Sequence, residues 1–350
     1  MRRRPTIKDI ARRAGVSESA VSFALNGRPG VSAATRERIR RVADQLGWLP
    51  SAAARALSGE GSATVGLVLA RPARTLGVES FFLQLVSGVQ EALGVRGLGL
   101  LFQVVEDVGA ECAAYRRWWA EHRVDGLLVV DPRGDDPRPA LLAELGLPAV
   151  IVGAPGAGTV PSGAAISCVR ADDAAAMASV VDHLHGLGHR RVAHVAGLAE
   201  LAHTRRRIAS LRAEATRRGL REATSVTTDY SDAQGAEATR RLLSGERPPT
   251  AIVFDNDVMA VAGLAVAAER GVSVPHALSI VAWDDSALCR NTHPTLTALT
   301  RDTATFGRHA AEELIALLDG GPARWVEDAA PRLMARESTA AAPVSRGRLS

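Results

Sequence analysis

Five side chains near the amino terminus have the chemistry of groups that contact DNA bases. They follow the corner "AGVS" on one face of a short helical run, and Ala20, Val21, Ala24 and Leu25 form the apolar face opposite. The five are Glu18, Ser19, Ser22, Phe23 and Asn26. Glutamate can accept a hydrogen bond from cytosine N4, serine can contact several bases, and phenylalanine can press on a thymine methyl group. The spacing therefore predicts a face for the DNA major groove, and the alternative for Phe23 is packing back on the preceding helix.

Three capped helices are needed to hold this face in place. Thr6 begins a predicted helix over residues 6–14, which Gly15 ends. Ser17 caps the second helix and Ser32 caps a third. A glycine at the corner between two short helices is typical of a helix-turn-helix, so we predict a small helical DNA-binding head over residues 1–49.

The helix starts of this head also supply groups that can hold phosphates. Backbone N–H groups at a helix amino terminus are free, and neighbouring hydroxyls can donate to phosphate oxygens. We expect such contacts from Thr6, Ser17, Ser32 and Thr35. A capping role alone is the alternative for each of them, and the two roles can coexist.

The distribution of charge points to a polyanionic partner for the head alone. Residues 1–60 contain 12 of the 42 basic residues and 5 of the 38 acidic ones. The rest of the chain therefore contains 30 basic and 33 acidic residues and is mildly acidic. A basic head on an acidic body favours binding of nucleic acid by the head. The alternative is a solvated charged end.

Beyond residue 63 the sequence alternates between short β-rich runs and helical runs. Two consecutive series predict an α/β body with two doubly wound parallel sheets, each in its own lobe, and ligands bind such sheets at the carboxyl ends of the strands. We place this effector-binding domain at residues 63–342, with the first lobe at about 63–165 and 298–326 and the second at about 166–297 and 327–342. Residues 343–350, "PVSRGRLS", form a polar tail without a leucine heptad, which favours a dimer over a tetramer.

Catalytic, metal and membrane functions find little support. His183 and His185 are two residues apart on a helix and diverge, so metal binding is not expected, and we expect no cofactor. No nucleophile motif of the G-x-S-x-G type occurs, which argues against an enzyme. The three cysteines are scattered, no apolar run reaches membrane-spanning length, and no signal-peptide core follows the charged amino terminus. We therefore expect a cytoplasmic, nucleoid-associated protein.

Several motifs together resemble one protein family. "TIKDIARRAGVSESAVSFALNGRPGVSAATRERIRRVADQLGWLPSAAARALSG" is similar to the head of the lactose-repressor/galactose-repressor (LacI/GalR) family almost without gaps. The lobes match at "GHRRVAHVAG", "AIVFDNDVMAVAGL", "LSIVAWDD", "LTALTRD" and "RLMARESTA". The resemblance covers residues 6–340 and implies a three-helix head in the major groove. Many members carry arginine at the position of Phe23, so a guanine contact there is not expected.

The family resemblance implies a hinge helix in the minor groove at residues 50–58, within a linker over residues 50–62. A segment of eight or nine residues does not form a stable isolated helix in water, so "SAAARALS" needs a partner helix and DNA to become ordered. Arg55 is the candidate groove or phosphate contact, and Leu57 is the candidate wedge between base pairs. Burial of Leu57 on its own lobe is the alternative.

The resemblance also implies a small effector, often a sugar or a nucleobase, in the cleft between the lobes. The positions that match the family's ligand contacts are Phe81, Phe82, Arg207, Tyr230, Asn256, Asp257 and Asp284. Carboxylate, amide and guanidinium groups can bridge vicinal hydroxyls, and an aromatic face can stack on the C–H surface of a sugar ring. Capping is the alternative role for Asp257, a place in the core is the alternative for Phe81 or Phe82, and the register of the arginine run 205–207 is uncertain by one residue.

These observations predict a homodimeric transcriptional regulator that binds palindromic double-stranded operator DNA. We expect a repressor of carbohydrate-utilisation genes that a sugar effector releases from the operator or retains on it. A corepressor-dependent regulator of another pathway, such as nucleobase metabolism, is the alternative within this class. A sugar-binding transport protein shares the two-lobe fold, but the DNA-binding head argues against it.

Overall fold

The computed structural model of the 350-residue chain describes residues 5–48, 61–71, 79–155 and 158–343. The predicted hinge residues Arg55 and Leu57 lie outside these ranges. Contacts between residues divide the chain into two compact units, the head and the two-lobed body. Within the described part of the chain, no helix is both long and apolar enough to span a bilayer.

The head consists of three helices, α1 (Ile7–Ala14), α2 (Glu18–Leu25) and α3 (Ala33–Leu46). Their buried faces meet around Ile10, Val21 and Ile39, none of which is exposed to solvent. The caps lie where the sequence predicts them. Gly15 and Gly47 end α1 and α3 with φ values of 66° and 62°, the left-handed conformation that glycine adopts without a steric cost.

The body contains twelve strands and nine further helices among the residues that the structure describes. The strands are β1 (Thr64–Ala70), β2 (Gly99–Val105), β3 (Gly126–Val129), β4 (Ala149–Val152), β5 (Ile166–Arg170), β6 (Arg191–Ala196), β7 (Glu222–Thr227), β8 (Ala251–Phe254), β9 (Ser279–Ala282), β10 (Thr297–Thr300), β11 (Trp325–Glu327) and β12 (Arg332–Met334). The helices are α4 (Ser80–Val95), α5 (Val108–Ala120), α6 (Arg138–Leu145), α7 (Asp173–Gly186), α8 (Ala202–Arg218), α9 (Asp232–Leu243), α10 (Asp257–Glu269), α11 (Ala287–Asn291) and α12 (Thr303–Leu318).

These strands form two six-stranded sheets, one in each lobe. The first has the order β11-β5-β4-β3-β1-β2, and all its neighbouring strands are parallel. The second has the order β12-β10-β9-β8-β6-β7 and is parallel except at its edge, where β12 runs antiparallel to β10. The prediction of two doubly wound parallel sheets is therefore confirmed, with one antiparallel edge strand added.

Strand pairing corrects the predicted bounds of the lobes. Residues 166–170 were expected to begin the second lobe, but β5 pairs with β4 in the first sheet. Residues from 298 onward were expected to return to the first lobe, but β10 pairs with β9 in the second sheet. The chain therefore changes lobe after each of these strands, and β11 and β12 later add an edge strand beside β5 and β10. β7 ends at Thr227, so Tyr230 lies in the segment that follows this strand.

Two glycines bring α4 and α12 of the first lobe into close contact. A Cβ atom at Gly88 would lie 1.7 Å from the carbonyl oxygen of Ala304, and one at Gly307 would lie 2.1 Å from that of Leu85. Only glycine permits this backbone approach. Phe81 lies in the first turn of α4, and Arg301 lies between β10 and the start of α12.

Candidate functional site

The head presents the predicted base-contacting face to solvent. On α2, Glu18, Ser19, Phe23 and Asn26 are exposed and Ser22 is half-buried, while Val21 and Ala24 lie in the core. The exposed fraction of Phe23 is 39%, high for a large aromatic residue. Its ring borders the turn that follows α2, since a Cβ atom at Gly30 would lie 3.3 Å from Cδ2 of Phe23. The role of this face in DNA contact stays a prediction.

The predicted phosphate contacts all lie at helix starts, where Thr6, Ser17 and Ser32 are the capping residues and Thr35 lies in the first turn of α3. Ser17 Oγ accepts a hydrogen bond from Ala20 N at 3.2 Å, and Ser32 Oγ accepts one from Thr35 N at 3.3 Å. Thr6 N and Oγ1 both donate to Asp9 Oδ2, at 2.9 and 2.7 Å. Capping therefore occurs in the free head, and phosphate contact by these groups remains a prediction.

We expect Phe23→Ala to relax base preference at one or two base pairs of each half-site. The exposed ring is suited to an apolar contact with a thymine methyl group, whereas it neutralises no phosphate, so the salt dependence of binding should stay the same. Selection from a random duplex library, with wild type as the reference, measures the change. An unaltered base preference would favour a packing role against the turn at Gly30.

The second candidate site is a cleft between the two lobes of the body, at the carboxyl ends of the central strands. All seven predicted effector contacts line it. It is lined by Arg71, Glu79, Ser80, Phe81, Phe82, Val130, Asp131, Val152, Gly153, Ala171, Asp173, His203, Arg206, Arg207, Tyr230, Asp255, Asn256, Asp257, Asp284, Arg301 and Phe306. The structure thus brings the predicted residues together, while their contact with a ligand stays a prediction.

Arg207 is the buried member of the arginine run 205–207. Its Nε donates to Asp173 Oδ1 at 3.2 Å and its Nη1 to Asp255 Oδ1 at 3.1 Å. The guanidinium carbon lies 4.0 Å from the centre of the Trp283 ring. Arg205 is exposed and Arg206 half-buried. Arg207 is therefore fixed by two carboxylates and a ring at the floor of the cleft.

Asp255 is the most strongly stabilised carboxylate of the cleft. It accepts hydrogen bonds from Arg207 and, at 2.8 Å, from Gly197 N. It also pairs with His194 Nε2 at 3.0 Å. Burial alone would raise the pKa of Asp255, but Arg207 and His194 with these hydrogen bonds hold it well below its ordinary value. Asp255 is therefore the permanent anion that positions Arg207.

Tyr230 has a strained backbone and a tightly held ring. Its φ is 69°, in the left-handed region that residues other than glycine rarely adopt. The hydroxyl lies 2.8 Å from His203 Nε2 and 3.3 Å from Thr204 Oγ1. The guanidinium of Arg71 stands 4.6 Å from the ring centre. Strain of this kind is common at binding sites, where surrounding contacts hold the residue in place.

Asn256 and Asp257 both line the cleft, and Asn256 rather than Asp257 caps the helix that follows. Asn256 caps α10 through its Oδ1, which accepts from Met259 N at 2.8 Å, and its Nδ2 donates to the carbonyl of Tyr230 at 3.0 Å. Asp257 is the first residue of the helix, and its Oδ2 is buried and makes no hydrogen bond within the described residues. Burial raises the pKa of Asp257. An acceptor at the cleft is thus available on Asp257 rather than on Asn256.

Asp284 and Arg301 form the loosest ion pair of the cleft. Arg301 Nη2 lies 3.5 Å from Asp284 Oδ1, and the guanidinium carbon lies 4.6 Å from the centre of the Phe81 ring. Burial raises the pKa of Asp284 and lowers that of Arg301. A ligand that hydrogen-bonds to these two groups would therefore stabilise their charged forms, because it would replace the hydration lost on burial.

On the opposite wall, Arg71 holds two acids of the first lobe. Its Nε and Nη2 donate to Asp131 at 2.5 and 3.0 Å, and its Nη1 donates to both oxygens of Glu79, at 3.0 and 3.2 Å. Burial raises the pKa of Glu79 to about 7, although the nearby charge of Arg71 acts to lower it. Across the cleft, burial and Arg207 lower the pKa of His203 to about 4.

These two shifts predict opposite effects of pH on stability. Between pH 4.5 and 7 the folded protein keeps a proton on Glu79 that the unfolded chain releases, so stability falls as pH rises. Between pH 4 and 6.5 the unfolded chain protonates His203 and the folded protein does not, so stability rises. Because the two ranges overlap, the two contributions largely cancel in the wild type between pH 4.5 and 6.5. We expect stability to rise with pH over this range in Glu79→Gln, where only the His203 contribution is left, and to fall with pH in His203→Gln, where only the Glu79 contribution is left. Urea midpoints across this range measure both, and unchanged pH slopes in both variants would contradict the assignment.

Sequence analysis missed eight lining residues that carry charge or a titratable group. They are Arg71, Glu79, Asp131, Asp173, His203, Arg206, Asp255 and Arg301. Arg71, Asp131 and Arg301 directly follow β1, β3 and β10 within two residues, and ligands bind at such strand ends. Strand ends were thus a usable signal for these three. Among the described residues, no group of three histidine, cysteine, aspartate or glutamate side chains is arranged to hold a metal ion.

Comparison with known proteins matches both parts of the chain. Residues 6–51 match the family "Bacterial regulatory proteins, lacI family", and residues 181–339 match "Periplasmic binding protein-like domain". The HTH-type transcriptional regulator CelR of Thermobifida fusca is 33% identical over 345 residues, which cover 96% of this chain and 99% of CelR.

Solved structures show the same similarity over nearly the whole chain. A complex of the transcriptional regulator CelR with cellobiose has 30% identity and a TM-score of 0.70, covering 96% of this chain and 100% of the other. The Lac repressor dimer bound to operator and the anti-inducer ONPF has 26% identity and a TM-score of 0.79, covering 97% and 100%. With a helix-turn-helix head, two parallel-sheet lobes and a relative of this identity along its whole length, the chain belongs to the LacI family of DNA-binding transcriptional regulators.

Proposed function

We propose that this regulator is a homodimeric repressor of carbohydrate-utilisation genes whose operator affinity changes when a neutral saccharide binds between the lobes. In this proposal residues 1–49 bind DNA, residues 50–62 link the head to the body, and residues 63–342 bind the effector. The operator is a palindrome, because a two-fold symmetric dimer places two identical heads on two half-sites. Similarity to the operator-bound Lac repressor dimer supports this arrangement.

The observation that carries the saccharide assignment is a set of polar groups with spare hydrogen-bonding capacity beside an aromatic ring. Among the residues that the structure describes, Asp257 Oδ2 is buried and accepts no hydrogen bond within 3.5 Å, and the ion pair between Asp284 and Arg301 is long, at 3.5 Å. Carboxylates accept from hydroxyl groups, and Arg301 donates to them, so vicinal hydroxyls would satisfy all three. Phe81 supplies an apolar face next to them. Similarity to the CelR–cellobiose complex supports the same ligand class.

A ligand held by both lobes changes their relative position and hence the spacing of the two heads in a dimer. The ligand shifts DNA affinity by its differential affinity for the two states, and DNA must change ligand affinity by the same factor. A coupling of about 1 to 3 kcal/mol is typical of allosteric proteins.

We expect the purified protein to bind a palindrome of about 14 to 20 base pairs in its own upstream region, with an affinity that falls steeply with salt. Fluorescence anisotropy at several salt concentrations measures binding, and a panel of mono- and disaccharides with nucleobases as comparison ligands identifies the effector. Equal affinity for random duplexes at physiological salt would overturn the DNA proposal. A response to a nucleobase alone would overturn the saccharide assignment.

A further inference from the structure

The two lobes are joined along one rim of the cleft by a short piece of antiparallel backbone. Ala202 N donates to the carbonyl of Pro132 at 2.8 Å, and Gly134 N donates to that of Glu200 at 3.3 Å. Between these bonds, Arg133 and Leu201 form an antiparallel bridge. We name these two segments, 132–134 of the first lobe and 200–202 of the second, the rim bridge.

Side chains reinforce the rim bridge on both sides. Arg133 Nη1 pairs with Glu200 Oε1 at 3.2 Å. A Cβ atom at Gly134 would lie 2.2 Å from Arg205 Nη1, so the glycine allows the guanidinium of the second lobe to lie on the backbone of the first. Farther along α8, Arg206 Nη1 donates to the carbonyl of Ala154, which follows β4, at 2.6 Å. The second lobe therefore contacts the first through backbone hydrogen bonds, an ion pair and an arginine side chain of α8.

The first-lobe half of the rim bridge is held rigidly by a buried arginine. Arg138 is 1% exposed and donates to the carbonyls of Val130 and Asp131, at 2.9 and 2.8 Å. It also donates to Asp136, whose Oδ2 accepts from Arg133 N at 3.1 Å. The loop after β3 is thus fixed before the second lobe contacts it, and little conformational entropy is lost when it does.

The second-lobe half begins the same helix that carries two residues of the cleft. Ala202 is the first residue of α8, and His203 and Arg207 project from its first two turns into the cleft. Residues four apart on a helix share a face, so these two side chains move together. Any shift of the start of α8 relative to the first lobe therefore moves both of them against Asp131 and Phe82 on the opposite wall.

We propose that the rim bridge is an inter-lobe latch that couples closure of the cleft to the placement of His203 and Arg207 for ligand binding. The latch concerns the same cleft as the proposed function and rests on it for the choice of ligand. Opening the latch frees the start of α8 from the first lobe, so ligand affinity should fall even though no ligand contact has been altered.

Ala202→Pro tests the latch at a single hydrogen bond. Proline is tolerated at the first position of a helix, and the preceding Leu201 already has φ −74° and ψ 135°, which suit a residue before proline. The substitution removes the N–H that donates across the lobes to Pro132. Ala33→Pro, the same change at the first position of α3 in the head, is the matched control.

Two measurements on the full-length protein separate the latch from the identity of the ligand. Hydrogen exchange without ligand, in the peptide that contains Gly134, should be about fivefold faster in Ala202→Pro, as expected when a neighbouring hydrogen bond is lost. The affinity for cellobiose or glucose, used as probes in calorimetry, should fall at least about fivefold. Ala33→Pro should match wild type in both.

Unchanged exchange at Gly134 overturns the latch, and faster exchange with unchanged sugar affinity overturns its coupling to the cleft. If wild type binds neither probe, the effector found with the saccharide and nucleobase panel replaces them, and faster exchange in Ala202→Pro both at Gly134 and at residues 203–207 still supports the latch. Glu200→Ala removes only the ion pair to Arg133 and leaves the backbone intact. If Ala202→Pro does not fold, Glu200→Ala must show the same direction with a smaller change, and wild-type behaviour of Glu200→Ala overturns the latch.

Discussion

Arg207→Ala is expected to abolish the response to the effector and to destabilise the body by about 3 to 5 kcal/mol, the usual cost of leaving a buried charge without its partner. The variant leaves Asp173 and Asp255 side by side in the protein interior without the cation that both of them bind. It also uncovers the Trp283 ring, on which the guanidinium stacks. Operator affinity in the absence of effector should stay near wild type, because the substitution does not alter the head. The loss of stability is expected because Arg207 is buried between two carboxylates.

The loss of stability in Arg207→Ala should become smaller at low pH. In the wild type Arg207 helps to hold the pKa of Asp255 well below its ordinary value, which contributes stability above the unfolded pKa. Without Arg207 this contribution disappears, so the difference in urea midpoint between variant and wild type should shrink as the pH falls through the pKa of an ordinary aspartate. The same experiment thus measures both the size and the cause of the effect.

Two further variants separate binding from folding. Arg207→Lys keeps a positive charge but loses the fork that reaches both carboxylates, so it should recover part of the stability and little of the effector response. Arg212→Ala, on an exposed turn of the same helix, should behave like wild type in both measurements. A normal effector response in Arg207→Ala, measured as release of a fluorescent operator, would remove Arg207 from the ligand site.

Local signals in the sequence predicted the elements of the fold well. Ser17 and Ser32 cap helices where their positions before apolar periodic runs predict caps, because capping depends on only three or four neighbouring residues. Strand–helix alternation likewise predicted two parallel sheets. The predicted sheet for β5 and β10 was wrong. Each strand pairs with the strand that precedes it in the chain, β4 or β9, and the chain changes lobe after the strand rather than before it. The residues of a strand do not specify on which side of it the chain changes lobe.

In the cleft, sequence motifs likewise predicted single residues but not their contacts with residues far away along the chain. Family motifs identified Arg207 and Tyr230, both of which line it. The ion pairs that fix Arg207 were not predicted, since Asp173 and Asp255 lie 34 and 48 residues away along the chain. The positive φ of Tyr230 was also not predicted, because this residue type rarely adopts such a backbone and no neighbouring residue signals it. Long-range packing and backbone strain are set by the assembled lobe, not by a window of sequence.

The close approach of Gly197 to the Tyr230 ring gives a second prediction with a large effect. This residue follows β6, and a Cβ atom there would lie 1.8 Å from Cζ and 2.2 Å from the hydroxyl oxygen of Tyr230. We expect Gly197→Ala to push the tyrosine ring away, to break its hydrogen bonds to His203 and Thr204, and to lower effector affinity at least about tenfold. The cost in stability should be about 1 to 3 kcal/mol, typical of overpacking.

The mechanism can be isolated with a double-mutant cycle. If the added methyl group acts only by displacing the ring, then Gly197→Ala should have no further effect on effector affinity once Tyr230→Ala has removed that ring. Gly186→Ala serves as the control for the glycine-to-alanine change, because this residue lies in α7 with no atom within 4 Å of its added Cβ. Calorimetry with the effector gives the four affinities of the cycle. Additive losses would mean that Gly197 acts on the cleft by another route, such as its own N–H bond to Asp255, and that Tyr230 does not transmit the effect.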